Sequence, residues 1–460
     1  MTTHRSIAAL VALVGACSGT PSEPAPRTPS VEAAPAGDDA RDAGLDDAAP
    51  PDAAPVLPVL AVPPGALDGF HAALDRAADG RALVMVFGDS HTAGDQLTGT
   101  LRRLLGAAHG FGGRGFVLPG RPAIRHYYLR DVAYGSEGKW QAELGGKRDN
   151  REPFGLAGVR SHTTDKRAVA WVATCASCPV DQVARFDIFH LMTATSGAFS
   201  YRVDDGPWTK VSTRLPRGAA GPTPTVTPVA VPDGRHKLTL KHAGGGPIEL
   251  FGVALERDRG VVVDALGVVG RRLTHLASWD WSVIGPQVSA RAPALVVLQY
   301  GTNEADDPTL DLGALARAYD KVIAEVRAAA PGASILLLGP PDMGEREAGR
   351  ACDKLPPPAD PDAGVPFECQ WRTPAMLPLV IDVQRQAAAR NQVAFFDTFA
   401  AMGGGNQMEA MFTADPPLAF SDHVHLTALG YQRWAELLGA ALADERARWR
   451  AIDPTARPAP

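Results

Sequence analysis

Length, composition and charge already exclude several classes of protein. The chain has 460 residues, of which 45% are hydrophobic and 21% are charged, and its formal net charge is −6. Residues 18–66 hold eight acidic side chains and two arginines, so this segment carries the net charge and the rest of the chain is close to neutral. Phosphate binding needs a basic face, and a nearly neutral body argues against one, so we expect no nucleic-acid partner.

The first residues predict export. Residues 1–17 start with a short polar stretch, continue with an apolar run and end in small residues before Cys17. This pattern is typical of a signal peptide, and "LVGAC" resembles the bacterial lipobox, whose cysteine is acylated and becomes the mature N-terminus. We therefore expect an exported lipoprotein, lipidated at Cys17 and facing the periplasm or the cell surface. The alternative is an ordinary secretory signal that is cleaved nearby.

The next segment predicts a tether. Residues 18–66 are rich in Pro, Ala and Asp and nearly free of aromatic side chains. Such a segment cannot bury enough apolar surface to offset the entropy cost of ordering, so we expect it to be disordered. No later apolar run approaches the roughly 20 residues of a membrane-spanning helix, so membrane contact is expected only through the lipid anchor.

Strand and helix patterns alternate through most of the remaining chain. The run "RALVMVFGDS" is continuously apolar, which is typical of a strand buried on both faces, and "PALVVLQY" and "ASILLLGPP" follow the same pattern between helical segments. The alternation predicts an α/β fold with a doubly wound parallel sheet over residues 67–120 and 261–450. Between them, residues 121–260 contain short strand-like runs separated by turn signals, which predicts an inserted antiparallel β-sandwich.

Four cysteines follow Cys17, and exported proteins keep disulfides. Cys352 and Cys369 bracket a Pro-rich loop, whereas Cys175 and Cys178 form the motif "CASC". No thioredoxin-like pattern surrounds this motif, so a local structural bridge is favoured over a redox pair. We expect each pair to form a disulfide, with free thiols as the alternative.

A candidate nucleophile lies where the first buried strand meets a helical pattern. Ser90 stands in "FGDSHT", where its hydroxyl would project at the carboxyl end of the sheet, close to helix N–H groups. The alternative is helix capping, because Ser and Asp are favoured at helix starts whatever the function. The segment is not the Gly-x-Ser-x-Gly elbow of α/β-hydrolases, because Thr92 replaces the second glycine.

A serine nucleophile needs a base, and a segment near the C-terminus offers one. In "FSDHVHLTALGY", Asp422 and His425 are three residues apart, a spacing that lets the carboxylate reach the imidazole in a turn that enters a helix. His423 is the competing base, but its offset from Asp422 points the two side chains apart.

An oxyanion hole is the third requirement, and two strand ends offer donors. Asn303 in "LQYGTNE" presents a side-chain amide, and Gly270 in "ALGVVGRRL" presents a backbone N–H that no side chain shields.

In chain order, the blocks at Ser90, Gly270, Asn303 and Asp422/His425 resemble the SGNH hydrolase family, also called the GDSL family. The resemblance implies a flavodoxin-like doubly wound sheet and a serine carboxylic ester hydrolase that needs no cofactor and no metal. It assigns Ser90, Asp422 and His425 to catalysis, and Ser90, Gly270 and Asn303 to the oxyanion hole.

Within this family, "GDSHTAGD" and a β-domain between the first two blocks resemble bacterial peptidoglycan O-acetylesterases, in which that domain is carbohydrate-binding-like. The resemblance implies a monomeric esterase that removes O-acetyl groups from a cell-envelope glycan, in the first place peptidoglycan, through an acyl-enzyme. Three alternatives stay open: an acetylesterase of xylan-type polysaccharides, an O-acetyltransferase, and a non-catalytic glycan-binding lipoprotein.

Overall fold

The structure is a computed structural model that describes residues 58–119, 127–146, 153–346 and 371–452. The expected signal peptide, Cys17, Cys352, Cys369 and the expected tether as far as residue 57 lie outside these residues. Among the residues described, no helix is long and apolar enough to cross a membrane.

The described residues form nineteen strands, labelled in chain order: β1 (Leu60–Ala61), β2 (Arg81–Gly88), β3 (Gly113–Val117), β4 (Ala133–Glu137), β5 (Gln141–Leu144), β6 (Val159–Thr163), β7 (Val169–Ala173), β8 (Val183–Met192), β9 (Ala198–Val203), β10 (Thr209–Ser212), β11 (Thr223–Gly234), β12 (Lys237–His242), β13 (Ile248–Glu256), β14 (Gly260–Gly267), β15 (Leu295–Gln299), β16 (Ser334–Leu338), β17 (Glu345–Arg346), β18 (Trp371–Arg372) and β19 (Ala394–Phe396). The same residues form eleven helices: α1 (Asp68–Asp75), α2 (Ser90–Ala93), α3 (Leu97–His109), α4 (Leu273–Ser278), α5 (Trp281–Arg291), α6 (Thr302–Ala305), α7 (Leu312–Ala329), α8 (Met376–Asn391), α9 (Thr398–Ala401), α10 (Met408–Thr413) and α11 (Ala428–Ala451).

One six-stranded sheet, in the order β1-β19-β16-β15-β2-β14, organises the predicted hydrolase segments. Strands β14, β2, β15, β16 and β19 are parallel to one another. Numbered by their own sequence order, these five strands run 2-1-3-4-5, which is the flavodoxin-like arrangement. In such sheets ligands bind beside the carboxyl ends of the strands where the strand order reverses, here between β2 and β15.

The sheet is mixed rather than purely parallel, because β1 runs antiparallel to its neighbour. Strand β1 lies within residues 18–66, so the prediction of disorder does not hold for the end of that segment. Residues 60–61 form β1 and pair antiparallel with β19, so the segment predicted to be disordered up to residue 66 is ordered from residue 58. This segment, which contains the apolar residues Val59, Leu60 and Val62, gains a partner strand. The backbone N–H and C=O groups at the edge of β19 would otherwise be unpaired.

Two antiparallel sheets occupy the stretch between β2 and β14. One has the order β10-β9-β12-β7-β4, and the other has the order β11-β8-β13-β6-β5 with β3 paired to β13. Strand β3 lies before residue 121, so this second sheet includes residues that the sequence assigned to the hydrolase segments.

Three buried clusters hold these layers together. One cluster lies between the two antiparallel sheets and includes Phe186, Phe199 and Leu240. A second joins the other face of the β8–β13 sheet to the central sheet and to helices α4, α5, α7 and α8. The third lies on the opposite face of the central sheet, beneath α1, α3 and α11. Each layer therefore buries an apolar face, and the carboxyl edge of the central sheet stays accessible for a site.

Candidate active site

Ser90 begins the short helix that follows β2. The cap of this helix is the preceding residue, Asp89, whose Oδ1 accepts a hydrogen bond from the His91 N–H at 2.9 Å. The Ser90 hydroxyl is therefore not needed for capping, and its Oγ lies 2.8 Å from Nε2 of His425. The structure thus separates the two roles that the sequence left open for this segment.

His425 lies on the loop before α11, and a carboxylate orients its ring. Nδ1 of His425 lies 2.7 Å from Oδ2 of Asp422, and Oδ1 of Asp422 accepts the backbone N–H of His425 at 2.9 Å and of Val424 at 3.0 Å. An ionised carboxylate only accepts, so Nδ1 carries the proton and Nε2 is left to accept the Ser90 hydroxyl. Unlike the other three blocks, this one does not follow a strand: the loop is closed by an isolated bridge between Ala419 and Leu426.

The electrostatics of this pair favour a basic histidine. The hydrogen bond with Asp422 raises the pKa of His425 above its usual value of 6.5, although partial burial opposes the shift. Burial raises the pKa of Asp422, but the hydrogen bonds from His425 and from the two backbone N–H groups outweigh it and hold that pKa well below its ordinary range. Asp422 therefore stays ionised at neutral pH and stabilises the imidazolium that proton transfer from serine would create.

His423, the competing base, points elsewhere. Its Nε2 lies 2.6 Å from Oε2 of Glu409, its Nδ1 lies 3.0 Å from the Ser421 carbonyl oxygen, and its ring stacks on Trp371. Both ring nitrogens are engaged, so His423 has no lone pair directed at Ser90. The expectation that its offset turns it away from Asp422 agrees with this geometry.

Gly270 and Asn303 lie on neighbouring turns that are hydrogen-bonded to each other. Gly270 follows β14 with φ = +70°, a conformation that favours glycine, and Asn303 belongs to α6 after β15. Nδ2 of Asn303 donates to the Arg271 carbonyl oxygen at 3.0 Å. A second Nδ2 hydrogen stays available, and Asn303 is only half-buried.

Glu304, which was not predicted from the sequence as a site residue, fixes these two turns. Oε1 of Glu304 accepts the Leu273 N–H at 2.7 Å and Oε2 accepts the Gly301 N–H at 3.0 Å, and the side chain is fully buried. Glu304 thus joins the turn of Gly270 to the turn of Asn303. Its position directly after Asn303 in "GTNE" was the only available signal, and acidic residues are common in turns.

Two further buried groups, Asp89 and His91, surround the serine–histidine pair. Burial raises the pKa of Asp89 to about 7, and the nearby Glu304 carboxylate contributes. Burial and the charge of His425 lower the pKa of His91 to about 3, so this ring is neutral. Nδ1 of His91 lies 2.9 Å from the Tyr431 hydroxyl, and its ring lies 5.4 Å from that of His425. His91 therefore packs behind the base without adding a positive charge.

The remaining predicted site residues that the structure describes lie in the loop between β7 and β8. Cys175 and Cys178 are joined by a disulfide directly after β7. Cys352 and Cys369, like Cys17, lie outside the described residues. Within the described ranges, no group of three His, Cys, Asp or Glu side chains is arranged to hold a metal ion.

Ser90 is hydrogen-bonded to a histidine–aspartate pair. This arrangement lies where the strand order of a flavodoxin-like sheet reverses, and it defines a serine hydrolase. Residues 237–433 match the GDSL-like lipase/acylhydrolase family, a range that includes Gly270, Asn303, Asp422 and His425 but not Ser90. These residues are therefore similar to this family, and the chain is an esterase.

One solved structure is similar to the chain over a longer range than the matched residues. A structure described as "Peptidoglycan O-acetylesterase in action, 5 min" is 25% identical, with a TM-score of 0.67, and the alignment covers 85% of this chain and 100% of that chain. A family two carbohydrate esterase from Clostridium thermocellum, solved as an active-site mutant, is 14% identical with a TM-score of 0.28, covering 67% of this chain and 99% of that chain. No curated protein sequence matches the chain.

Proposed function

We propose that this esterase removes O-acetyl groups from peptidoglycan through an acyl-enzyme formed on Ser90. The observation that carries the mechanism is the continuous hydrogen-bonded series from Ser90 Oγ through His425 to Asp422. The proposal for the substrate is supported by the likeness to a peptidoglycan O-acetylesterase over 85% of the chain.

In the proposed mechanism, Nε2 of His425 takes the Ser90 proton as Oγ attacks the acetyl carbonyl carbon. The backbone N–H groups of Ser90 and Gly270 and the amide of Asn303 donate to the oxyanion. His425 then protonates the sugar oxygen as the ester bond breaks, leaving acetyl on Ser90. A water molecule, deprotonated by His425, attacks this ester and releases acetate, which restores the serine.

Asn303→Ala should lower turnover of a small acetyl ester about 10²- to 10³-fold, because one oxyanion donor is lost while nucleophile and base remain. The measurement is kcat and KM with a chromogenic acetyl ester. We expect the loss to fall on kcat rather than KM, because the amide acts mainly on the transition state. Unchanged kcat would remove Asn303 from the proposed oxyanion hole.

The pH profile should show an acid limb that reports His425. Only the neutral imidazole accepts the serine proton, and Asp422 raises the pKa of His425, so kcat/KM in the free enzyme should fall as pH decreases through a midpoint above 6.5. Replacing Asp422 by Asn removes the carboxylate, so the midpoint should move to lower pH. A limb that stays in place in this variant would assign the titration to another group.

The substrate proposal is tested by comparing acetate release from O-acetylated peptidoglycan and from acetylated xylan, with the Ser90→Ala variant as the blank. We expect a higher kcat/KM for peptidoglycan. A clear preference for xylan would overturn the substrate but keep the esterase, and transfer of acetyl to added glycan in place of acetate release would indicate an O-acetyltransferase.

A peptidoglycan esterase must also reach its substrate and hold it, and we propose how this chain does both. A peptidoglycan substrate requires export, which the signal-peptide and lipobox patterns around Cys17 favour. We propose that the two antiparallel sheets form a β-sandwich of the carbohydrate-binding kind, supported by the apolar cluster they share, and that the chain acts as a monomer.

A further inference from the structure

The sheet β10-β9-β12-β7-β4 has one face that no apolar cluster covers. On β12, Leu238 and Leu240 point into the cluster between the two antiparallel sheets. Side chains alternate along a strand, so Lys237, Thr239 and Lys241 lie on the opposite face. The register places Arg202 of β9 and Trp171 of β7 directly beside Thr239. This face is called the outer face below.

Four cations lie on the outer face without carboxylate partners. Lys241 and Lys210 both pair in register with Ser200, which puts them in one row; Arg202 lies in the next row on this face and Lys237 in the row after that. In the described part of the chain, no ion pair joins any of the four to an acidic side chain. Together the four place a local positive charge on a part of the chain that is otherwise close to neutral.

Two of the described carboxylates, Asp204 and Glu137, lie at the rim of the outer face. Asp204 lies 2.8 Å from Nδ1 of His236 and also accepts the backbone N–H of Lys237, so both its oxygens are occupied. Glu137 pairs in register with Val169 at the end of β4. Strands β9 and β12, at the centre of this sheet, carry cations and no acidic residue.

Two tryptophans lie among these cations. Nζ of Lys241 is 3.7 Å and Cζ of Arg202 is 4.9 Å from the ring centre of Trp208, and Nζ of Lys237 is 4.5 Å from that of Trp171. A Cβ on Gly135 would lie 2.6 Å from Nε1 of Trp171, so this indole lies directly over β4.

The aromatic residues of this region thus divide into two groups. Tyr134, Trp140 and Tyr201 pack against the cluster between the sheets, as strand aromatics usually do, whereas Trp171 and Trp208 join no buried cluster. Packing in the buried clusters therefore explains neither the positions of these two tryptophans nor those of the cations beside them.

We propose that the outer face binds a carboxylate-bearing polysaccharide, with sugar rings against the indoles and carboxylates on Lys237, Lys241 and Arg202. The C–H groups on one face of a pyranose ring are apolar enough to pack on an aromatic ring, and cations beside an indole remain free to pair with anions. The charge complementarity requires an anionic polymer, and the choice of peptidoglycan among such polymers rests on the proposed function.

The location of the outer face suits an anchoring role. The sheet β11-β8-β13-β6-β5 lies between it and the central sheet, so a polymer bound there leaves Ser90 accessible. Binding a second part of the same polymer raises the local concentration of acetylated sugars at the active site. A membrane is a poorer fit, because insertion needs an apolar surface and the exposed Trp208 lies against two cations.

The test measures co-sedimentation of the full chain with insoluble peptidoglycan whose O-acetyl groups have been removed by mild alkali, so that binding is separated from catalysis. The double variant Lys237→Gln, Lys241→Gln and the single variant Trp208→Ala are compared with Lys166→Gln, Lys321→Gln, which removes the same charge elsewhere. We expect the apparent Kd to rise about ten-fold in the first double variant and several-fold in Trp208→Ala, with the control unchanged. Amidation of the polymer's carboxylates should abolish the difference between wild type and variant.

Hydrolysis of a small acetyl ester checks folding and should be unchanged in all three variants. Equal binding by wild type and the Lys237/Lys241 variant would overturn the proposal, as would binding that amidation leaves intact. If the Lys237/Lys241 variant lost binding to single-stranded DNA or to anionic vesicles but bound peptidoglycan like the wild type, the proposal would be overturned. The ligand of the outer face would then be that other polyanion. Because the polymer is deacetylated, failure of the proposed esterase function would not affect these outcomes.

Discussion

Replacing Ser90 by alanine should reduce turnover of a small acetyl ester by about 10⁴-fold or more, the usual loss when a serine hydrolase is deprived of its nucleophile. The substitution removes the Oγ that lies 2.8 Å from Nε2 of His425. KM should change little, because the hydroxyl contributes to bond formation rather than to substrate binding. Steady-state kinetics with a chromogenic acetyl ester measures both constants.

The structure supplies a matched control for this loss. Ser421 lies on the same loop as His425 and is exposed, and only its backbone carbonyl is used, by His423. Ser421→Ala should therefore keep near-wild-type turnover. Asp89 rather than Ser90 caps the α2 helix, so Ser90→Ala should also keep the thermal stability of the wild type. Turnover by Ser90→Ala within a few-fold of the wild type would contradict the mechanism.

Replacing Asp422 by asparagine should lower kcat by about 10⁴-fold, as in serine hydrolases whose orienting aspartate is replaced by its amide. The amide can donate to Nδ1 of His425, which would place the imidazole proton on Nε2 and leave no lone pair for the Ser90 hydroxyl. The shape of the side chain is retained, so the loss would come from the tautomer and from the missing charge.

Glu409 provides the comparison for Asp422. Its Oε2 lies 2.6 Å from Nε2 of His423, so the segment 408–425 contains two carboxylate–histidine pairs with similar distances. Glu409→Gln should reduce kcat by less than about ten-fold, because His423 does not contact Ser90. Equal losses in the two variants would mean that the loop needs both pairs for its conformation and that Asp422 has no separate role.

The sequence predicted the parts of the site that depend on local pattern. Ser90, Gly270 and Asn303 each follow a continuously apolar strand, and parallel strands bring their carboxyl ends to one edge, so their proximity followed from the fold class. The base was different: His425 does not follow a strand, and its approach to Ser90 depends on how α10, the closing bridge and α11 pack. Only the resemblance to a family with four ordered blocks made that pairing predictable.

Two features could not be predicted from composition because tertiary contacts decide them. Strand β1 lies in a Pro- and Ala-rich segment and becomes ordered only because the edge of β19 is open to it. Glu304 has no distinguishing neighbour in sequence, and its role appears when its two carboxylate oxygens are seen to accept N–H groups from turns about 30 residues apart. Long-range partners of this kind leave no local periodicity.

The most direct test of Ser90 as the nucleophile is peptide mass mapping after labelling the wild-type chain with a fluorophosphonate, a reagent that forms a stable adduct with an activated serine. We expect one adduct, on the peptide that contains Ser90, formed in proportion to the loss of esterase activity and strongly slowed by His425→Ala. Complete inactivation with the adduct on another residue, or full esterase activity when Ser90 is fully labelled, would contradict it.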